Sequence, residues 1–168
     1  TLRILSLDKC NIGDPNIDYH NRTELIKKLF TKCSQLTELN ISNSEGPIFA
    51  DIQELSNHIL LDLHLCALVE NLSPNILKLN LCAQQFVQDK HVNTLVKRCK
   101  KITELDLSFT EITNDSLESI IKNLNYLEKL NVEYTNIEFS TFLHQLKSLP
   151  TLKTLRCQFN EENDEKIK

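Results

Sequence analysis

The chain has no methionine and no tryptophan, and only two glycines among its 168 residues. So few glycines leave no glycine-rich loop to wrap a phosphate, which excludes nucleotide binding of that type. No stretch approaches the 18 consecutive apolar residues of a membrane-spanning helix, and the first residues lack the charged-then-apolar order of a secretory leader. There is no G-x-S-x-G elbow, no C-x-x-C pair and no His/Cys group at metal-ligand spacing. Neither catalytic residues nor a metal or other cofactor is therefore expected. A net charge of −4 and an isoelectric point near 5.7 argue against a nucleic-acid surface. With no initiator methionine and an apolar pattern already open at Leu2, the chain reads as a piece of a longer protein.

What the chain does contain is one pattern used repeatedly. Ile76-Leu-Lys-Leu79-Asn-Leu81, Ile102-Thr-Glu-Leu105-Asp-Leu107, Leu127-Glu-Lys-Leu130-Asn-Val132 and Leu152-Lys-Thr-Leu155-Arg-Cys157 open 26, 25 and 25 residues apart. This L-x-x-L-x-L spacing resembles the leucine-rich repeat, with room for one strand and one helix per unit. Between the strands, apolar residues recur at helical spacing: Ile26, Leu29, Phe30, Cys33; Val92, Leu95, Val96, Cys99; Leu117, Ile120, Ile121, Leu124; and Phe139, Phe142, Leu143, Leu146. Asp89 and Asp115 stand at helix starts, where a carboxylate caps free amides.

Upstream the spacing loosens. Leu2-Arg-Ile-Leu5-Ser-Leu7 and Leu36-Thr-Glu-Leu39-Asn-Ile41 open 34 residues apart, and residues 13–21, with a Gly-Asp-Pro turn, are expected to loop out. Leu36 and Ile76 are 40 residues apart. Leu60, Leu63 and Leu65 fit a strand there, while Leu65, Leu68, Val69 and Leu72 fit a helix; a single long repeat with an extended helix is preferred. The expected fold is an α/β solenoid, a right-handed βα horseshoe with parallel strands on the concave face and helices on the convex face. Residues 1–157 would form about six repeats, and residues 158–168 a polar C-terminal tail.

Strand alternation turns the leucines inward and the residues between them outward onto the concave face. Glu38, Asn40, Ser42, Lys78, Asn80 and Cys82 belong to this strip in the earlier units. The candidate partner-binding set is Glu104, Asp106, Ser108, Phe109, Lys129, Asn131, Glu133, Tyr134, Arg156 and Gln158, with Phe159 a further strand-end aromatic. Mixed charge with aromatic and Arg anchors suits a protein surface. Asp106 beside Ser108 invites a hydrolase reading, but no histidine stands at a strand-facing position to complete it. Lys97, Arg98, Lys100 and Lys101 lie where cations favour a helix C-terminus, and read as a solvated helix end.

Six cysteines are present. Cys33 and Cys99 stand three residues before a strand opens, Cys10 at a turn, and Cys157 at the last apolar position of a strand. Each slot suits a small hydrophobe, so reduced, buried thiols in an intracellular protein are expected.

The cysteines before strands, the turn residues Cys10, Thr110 and Thr135, and Ile112-Thr-Asn-Asp-Ser-Leu117 resemble the cysteine-containing class of leucine-rich repeats typical of F-box proteins. Leu95-Val-Lys-Arg-Cys-Lys-Lys-Ile-Thr-Glu-Leu-Asp-Leu-Ser108, Leu124-Asn-Tyr-Leu127 and Leu149-Pro-Thr-Leu-Lys-Thr-Leu155 are similar to the S-phase-kinase-associated branch of the F-box substrate receptors. The resemblance spans about Ile76 to Leu155. It implies the substrate-recognition part of an SCF-type cullin–RING ubiquitin ligase, with no enzymatic step of its own, in nucleus and cytoplasm. An F-box outside this chain would bind the ligase adaptor. The concave face would hold a cell-cycle regulator, phosphorylated in the S-phase branch, with a small cyclin-kinase-subunit accessory protein on the later repeats. Asp106 matches an acidic position of that branch; Tyr134 stands in place of a basic one, and nothing after Gln158 matches. The other reading is a leucine-rich-repeat scaffold or regulator unrelated to ubiquitin.

Overall fold

The computed structural model describes residues 2–8, 19–42, 56–138, 146 and 149–158. Parallel strands cannot be joined by a tight turn, so each repeat must return through a long crossover. Among the described residues, six three-residue strands lie side by side in chain order: β1 (Ile4–Ser6), β2 (Glu38–Asn40), β3 (Lys78–Asn80), β4 (Glu104–Asp106), β5 (Lys129–Asn131) and β6 (Thr154–Arg156). Helices α1 (Tyr19–Lys32), α2 (Ser56–Asn71), α3 (Asp89–Arg98) and α4 (Asn114–Asn123) come after the first four strands in turn. Every pairing is parallel, and the register sets Leu5, Leu39, Leu79, Leu105, Leu130 and Leu155 in one row.

The backbone repeats its own hydrogen bonds. The carbonyls of Arg3, Thr37, Leu77, Thr103 and Glu128 each accept two amides from the entry of the next strand, at 2.7–3.1 Å. Beyond the strands the ladder continues through Leu7 to Asn40, Ile41 to Asn80, Leu81 to Asp106, Leu107 to Asn131 and Val132 to Arg156. Such short strands are therefore held at both ends, and the backbone groups that face a neighbouring strand are satisfied. Leu39, Leu79, Leu105 and Leu130 are buried, while Leu5 and Leu155 are only partly covered, since among the described residues β1 and β6 have a strand on one side alone.

The 40-residue interval is one repeat. β2 pairs directly with β3, and the chain between them forms α2. Leu65, Leu68 and Val69 are buried on it and Leu72 just past its end, whereas Leu63, which the strand alternative would turn inward, is exposed. Two expectations are corrected upstream. The helix expected after the looping segment already starts at Tyr19, while residues 13–18 of that segment lie outside the described residues. Leu29, expected on the buried stripe of α1, is exposed beside Leu25. Among the described residues α1 packs against α2 alone, so its buried face narrows to Ile26 and Phe30. Of the fourth helical stripe only Leu146 is described, and it is buried. Cys10 and residues 159–168 of the expected tail lie outside the described residues.

The described cysteines are free thiols. Cys99 is buried and its thiol donates to the Ser73 carbonyl of the previous repeat at 3.4 Å. Burial pushes its pKa up to about 11, so the thiol stays protonated and unreactive. Ser73 fills the equivalent slot one repeat earlier and donates to the Ser34 carbonyl at 2.8 Å.

Asp89 caps a helix, but not the one expected. It sits at the start of α3, yet its carboxylate reaches across to the N-terminus of α4. Oδ1 accepts from the amides of Thr113 (2.8 Å) and Ser116 (3.2 Å) and from the Ser116 hydroxyl (2.5 Å), while Oδ2 accepts from the Thr113 hydroxyl (2.7 Å). One side chain thus satisfies free amides of the next repeat. Burial alone would raise the Asp89 pKa, but the bonds from Ser116 and Thr113 outweigh it and hold the carboxyl below its ordinary value. A lowered folded pKa stabilises fully above the unfolded value of about 4 and is lost as pH falls through the folded value. Asp89→Ala should cost about 2 kcal/mol at pH 7, from charged hydrogen bonds lost to buried donors. Urea unfolding at pH 7 and pH 3 checks this: the gap between wild type and variant should narrow at pH 3, and an equal gap would contradict the charged-cap account.

Candidate partner-binding face

The outward positions of the six strands form three rows, each with its own chemistry. The first row reads Ile4, Glu38, Lys78, Glu104, Lys129, Thr154 across paired strands. Its charges alternate, and they meet. Lys78 Nζ lies 3.4 Å from Glu38 and 3.9 Å from Glu104, and Lys129 Nζ lies 3.2 Å from Glu104. Four side chains from four strands make one ion ladder. Exposed pairs of this kind contribute little singly, and a network holds its members in place better than isolated pairs.

The second row is Ser6, Asn40, Asn80, Asp106, Asn131 and Arg156. In β2 to β5 its side-chain oxygen turns back on the chain. Asn40, Asn80, Asp106 and Asn131 each accept the amide two residues on, from Ser42, Cys82, Ser108 and Glu133, at 2.9–3.2 Å. These Asx turns steer the chain off the sheet after each strand. Asp106 does most: Oδ1 also accepts the Ser108 hydroxyl at 2.6 Å and Oδ2 accepts from Asn131 Nδ2 at 3.1 Å.

The third row differs from expectation. Ser42 and Ser108 were to face outward, but both are buried, because Asp8 and Asp106 draw in their hydroxyls. Thr110 and Thr135, at the turn slot, donate back to the carbonyls of Leu107 and Val132 at 2.6 and 2.8 Å. Glu104, Asp106, Lys129, Asn131 and Arg156 line an open concave trough of about 490 Å³ that all six strands share. Gln158 is exposed beyond β6, Glu133 is half-buried at the trough's rim, and Phe159 lies outside the described residues.

Phe109 and Tyr134 stand at the same rim. Their rings stack with centroids 4.3 Å apart and planes at 17°, and they are 50% and 56% exposed. Both residues have left-handed backbone, at φ 57° and 55°, and Ala83 in the same slot one repeat earlier has φ 62°. That conformation costs an L-residue about 1–2 kcal/mol. The repeat imposes it: Phe109 and Ala83 donate their amides to the carbonyls of Glu133 and Ser108, so the turn itself is a rung between repeats. No glycine marks these positions. Aligning the repeats on their Asx residue would have brought Ala83, Phe109 and Tyr134 into one column, and the same alignment would have exposed the ion ladder.

The sequence offered no metal spacing, yet folding gathers Asp62 and Cys66 of α2 with His91 of α3, their donor atoms within 4.8 Å of one another. The donor types would suit zinc. The hydrogen bonds do not: His91 Nδ1 accepts the Gln88 amide at 3.1 Å, which leaves the ring proton on Nε2, 2.9 Å from Asp62 Oδ1. Lys90 also pairs with Asp62. Burial pulls the His91 pKa below its ordinary value against the opposing pull of Asp62, so the ring is neutral at pH 7. The ion pair of Lys90 with Asp62 joins the two helices, and the neutral His91 ring packs beside it. At the end of α3 the basic run also joins repeats, with Arg98 Nε donating to the Leu72 carbonyl at 2.6 Å and Lys101, beyond the helix, to Asn75 Oδ1 at 3.0 Å.

A family model described as a leucine-rich repeat matches residues 1–15 and 98–120. Among solved structures, actin-binding site 2 of leiomodin-1 superposes with a TM-score of 0.54, at 21% identity, over 91% of this chain and 86% of that one. The fold of this chain is that of a leucine-rich-repeat solenoid. An internalin (InlF) of Listeria monocytogenes is similar over 95% of this chain and 48% of its own, at 17% identity and a TM-score of 0.49. Internalin C2 of the same organism is 16% identical with a TM-score of 0.40, over 94% of this chain and 74% of that one. Among the described residues no helix of the solenoid is long and apolar enough to cross a membrane.

Because Asp106 anchors its own turn, replacing it disturbs the solenoid as well as any partner. Asp106→Asn keeps the acceptor used at Asn40, Asn80 and Asn131, and should cost less than about 1 kcal/mol. Asp106→Ala leaves the Ser108 amide and hydroxyl without their acceptor and should cost about 2 kcal/mol. Thermal unfolding of both variants decides it; equal losses would mean the Asx bond is immaterial.

Proposed function

We propose that the solenoid binds a polypeptide along its concave strand face. The single observation that carries this is the open trough spanning all six strands, with an exposed, stacked aromatic pair at its rim. Its charged groups are largely pre-paired in the ion ladder, so the strip offers shape and hydrogen bonding rather than a strong field of one sign. Arg156 lies in the same trough and is exposed on the last described strand. Aromatic and Arg side chains that a partner covers are the usual anchors of protein recognition.

More finely, the bound polypeptide is the substrate of an SCF-type cullin–RING ubiquitin ligase. The support is the resemblance of Leu95–Ser108, Leu124–Leu127 and Leu149–Leu155 to F-box substrate receptors. On this reading the solenoid acts by proximity, raising the concentration of a captured cell-cycle regulator beside a ubiquitin-charged enzyme. The ligase adaptor would bind through an F-box elsewhere in the whole protein, a cyclin-kinase-subunit protein would assist on the later repeats, and the complex would work in nucleus and cytoplasm. A scaffold unrelated to ubiquitin would use the same concave face.

Affinity purification of the whole protein from its own cells separates these. Adaptor and cullin should co-purify, and Arg156→Glu with Tyr134→Ala should lower client capture at least about tenfold, the loss of two anchors, while adaptor is retained. Absence of adaptor and cullin would end the ligase reading and leave the scaffold. Client capture lost on Lys97→Glu on α3, and kept in the concave double variant, would move the binding face to the helices.

A further inference from the structure

The rim that carries the aromatic pair is acidic. The described residues between the strand ends and the following helices, 81–88, 107–113 and 132–138, include Glu111, Glu133 and Glu138 and no lysine or arginine. The opposite rim, at the strand entries, carries Lys100, Lys101 and Lys153, with one carboxylate, Glu128, paired to Lys153 at 2.9 Å. Charge therefore divides across the face, with the exposed rings on the negative side.

Stacking covers one face of each ring and leaves half of each side chain open to solvent. The π-face of a ring is itself electron-rich, and the carboxylates of Glu133, next to Tyr134 in the chain, and Glu111, two beyond Phe109 and accepting from Gln88 Nε2 at 3.2 Å, add negative charge to the same rim. Aliphatic partners gain nothing from that field, and anionic ones are repelled by it. A flat guanidinium can lie on a flat ring and still fork to a neighbouring carboxylate, which a compact ammonium cannot. The left-handed backbone at both residues directs their Cβ atoms alike, and the rings already stack in the unbound chain, so the platform is formed before a partner arrives.

We propose that the stacked Phe109–Tyr134 pair is the docking platform for an arginine side chain of the bound polypeptide. This rests on the reading that the concave face holds a polypeptide, and names one chemical requirement of that partner: a basic residue placed to reach the acidic rim. Phosphate groups on the same partner would belong elsewhere, away from Glu111 and Glu133.

The test uses three blocked pentapeptides, Ser-Gly-X-Gly-Ser with X arginine, norleucine or glutamate, titrated into the ¹⁵N-labelled chain. The arginine peptide should shift the amide resonances of Phe109 and Tyr134 saturably, and bind about two- to fivefold tighter than the norleucine peptide, the range of an exposed cation–π contact. Tyr134→Leu keeps apolar area without the π-face and should abolish that preference, with the remaining resonances in place as a check on folding. Equal or tighter binding of norleucine would overturn the proposal and make the pair a plain apolar anchor. Tightest binding of the glutamate peptide, or no shift at residues 109 and 134 with any peptide, would also overturn it. The broader reading is judged separately: client capture that survives Tyr134→Leu removes the arginine platform and leaves the polypeptide-binding face standing.

Discussion

Everything in this solenoid depends on one constraint: a three-residue strand cannot bury its leucine by itself. Leu39, Leu79, Leu105 and Leu130 are buried because each lies in register between leucines of adjacent strands or against the helix layer behind them. Stability in such an array comes from neighbour to neighbour contacts rather than from one central core. The partial exposure of Leu5 and Leu155, each with a strand on one side, is the same rule seen at the ends of the described sheet.

Polar bonds between repeats obey the same logic. Asp89 of one repeat caps α4 of the next, Cys99 and Ser73 each reach a carbonyl of the preceding repeat, and His91 and Lys90 of α3 meet Asp62 of α2. On the concave side the Asx residues turn each strand away at the same point. That places residue 109 and residue 134 in the same strained backbone and so brings their rings into contact. The binding face is thus a by-product of repeat geometry: the turn that ends each strand also sets the display of the rim side chains.

The strands were legible because Leu-x-x-Leu-x-Leu fixes both period and facing, and α3 and α4 because their apolar residues recur on one side only. α2 was ambiguous for a physical reason. Its sequence from Ile59 to Val69 is apolar at most positions, so neither a helical nor a strand period stands out. Pairing of β2 with β3 settled it, and pairing is a long-range fact that no local window contains. Leu29 misled because amphipathic spacing says which residues share a side, while how much of that side is covered depends on the neighbouring helix. The outward residues of the strip were readable as a list, yet their roles were not. Ser108 is turned in by Asp106, and Asp106, Asn131 and the ladder charges spend their bonds on one another. Apart from the local Asp106–Ser108 bond, partners separated by about one repeat decide these roles.

The central claim is that partners bind on the concave face with the aromatic rim included. Hydrogen–deuterium exchange of the whole protein, alone and with its captured client, tests it most directly. The account predicts new protection in the turns at residues 107–110 and 132–135 and along the strand entries between them, with α3 and α4 unchanged. Protection confined to the outer helices, with the turns exchanging as before, would contradict it.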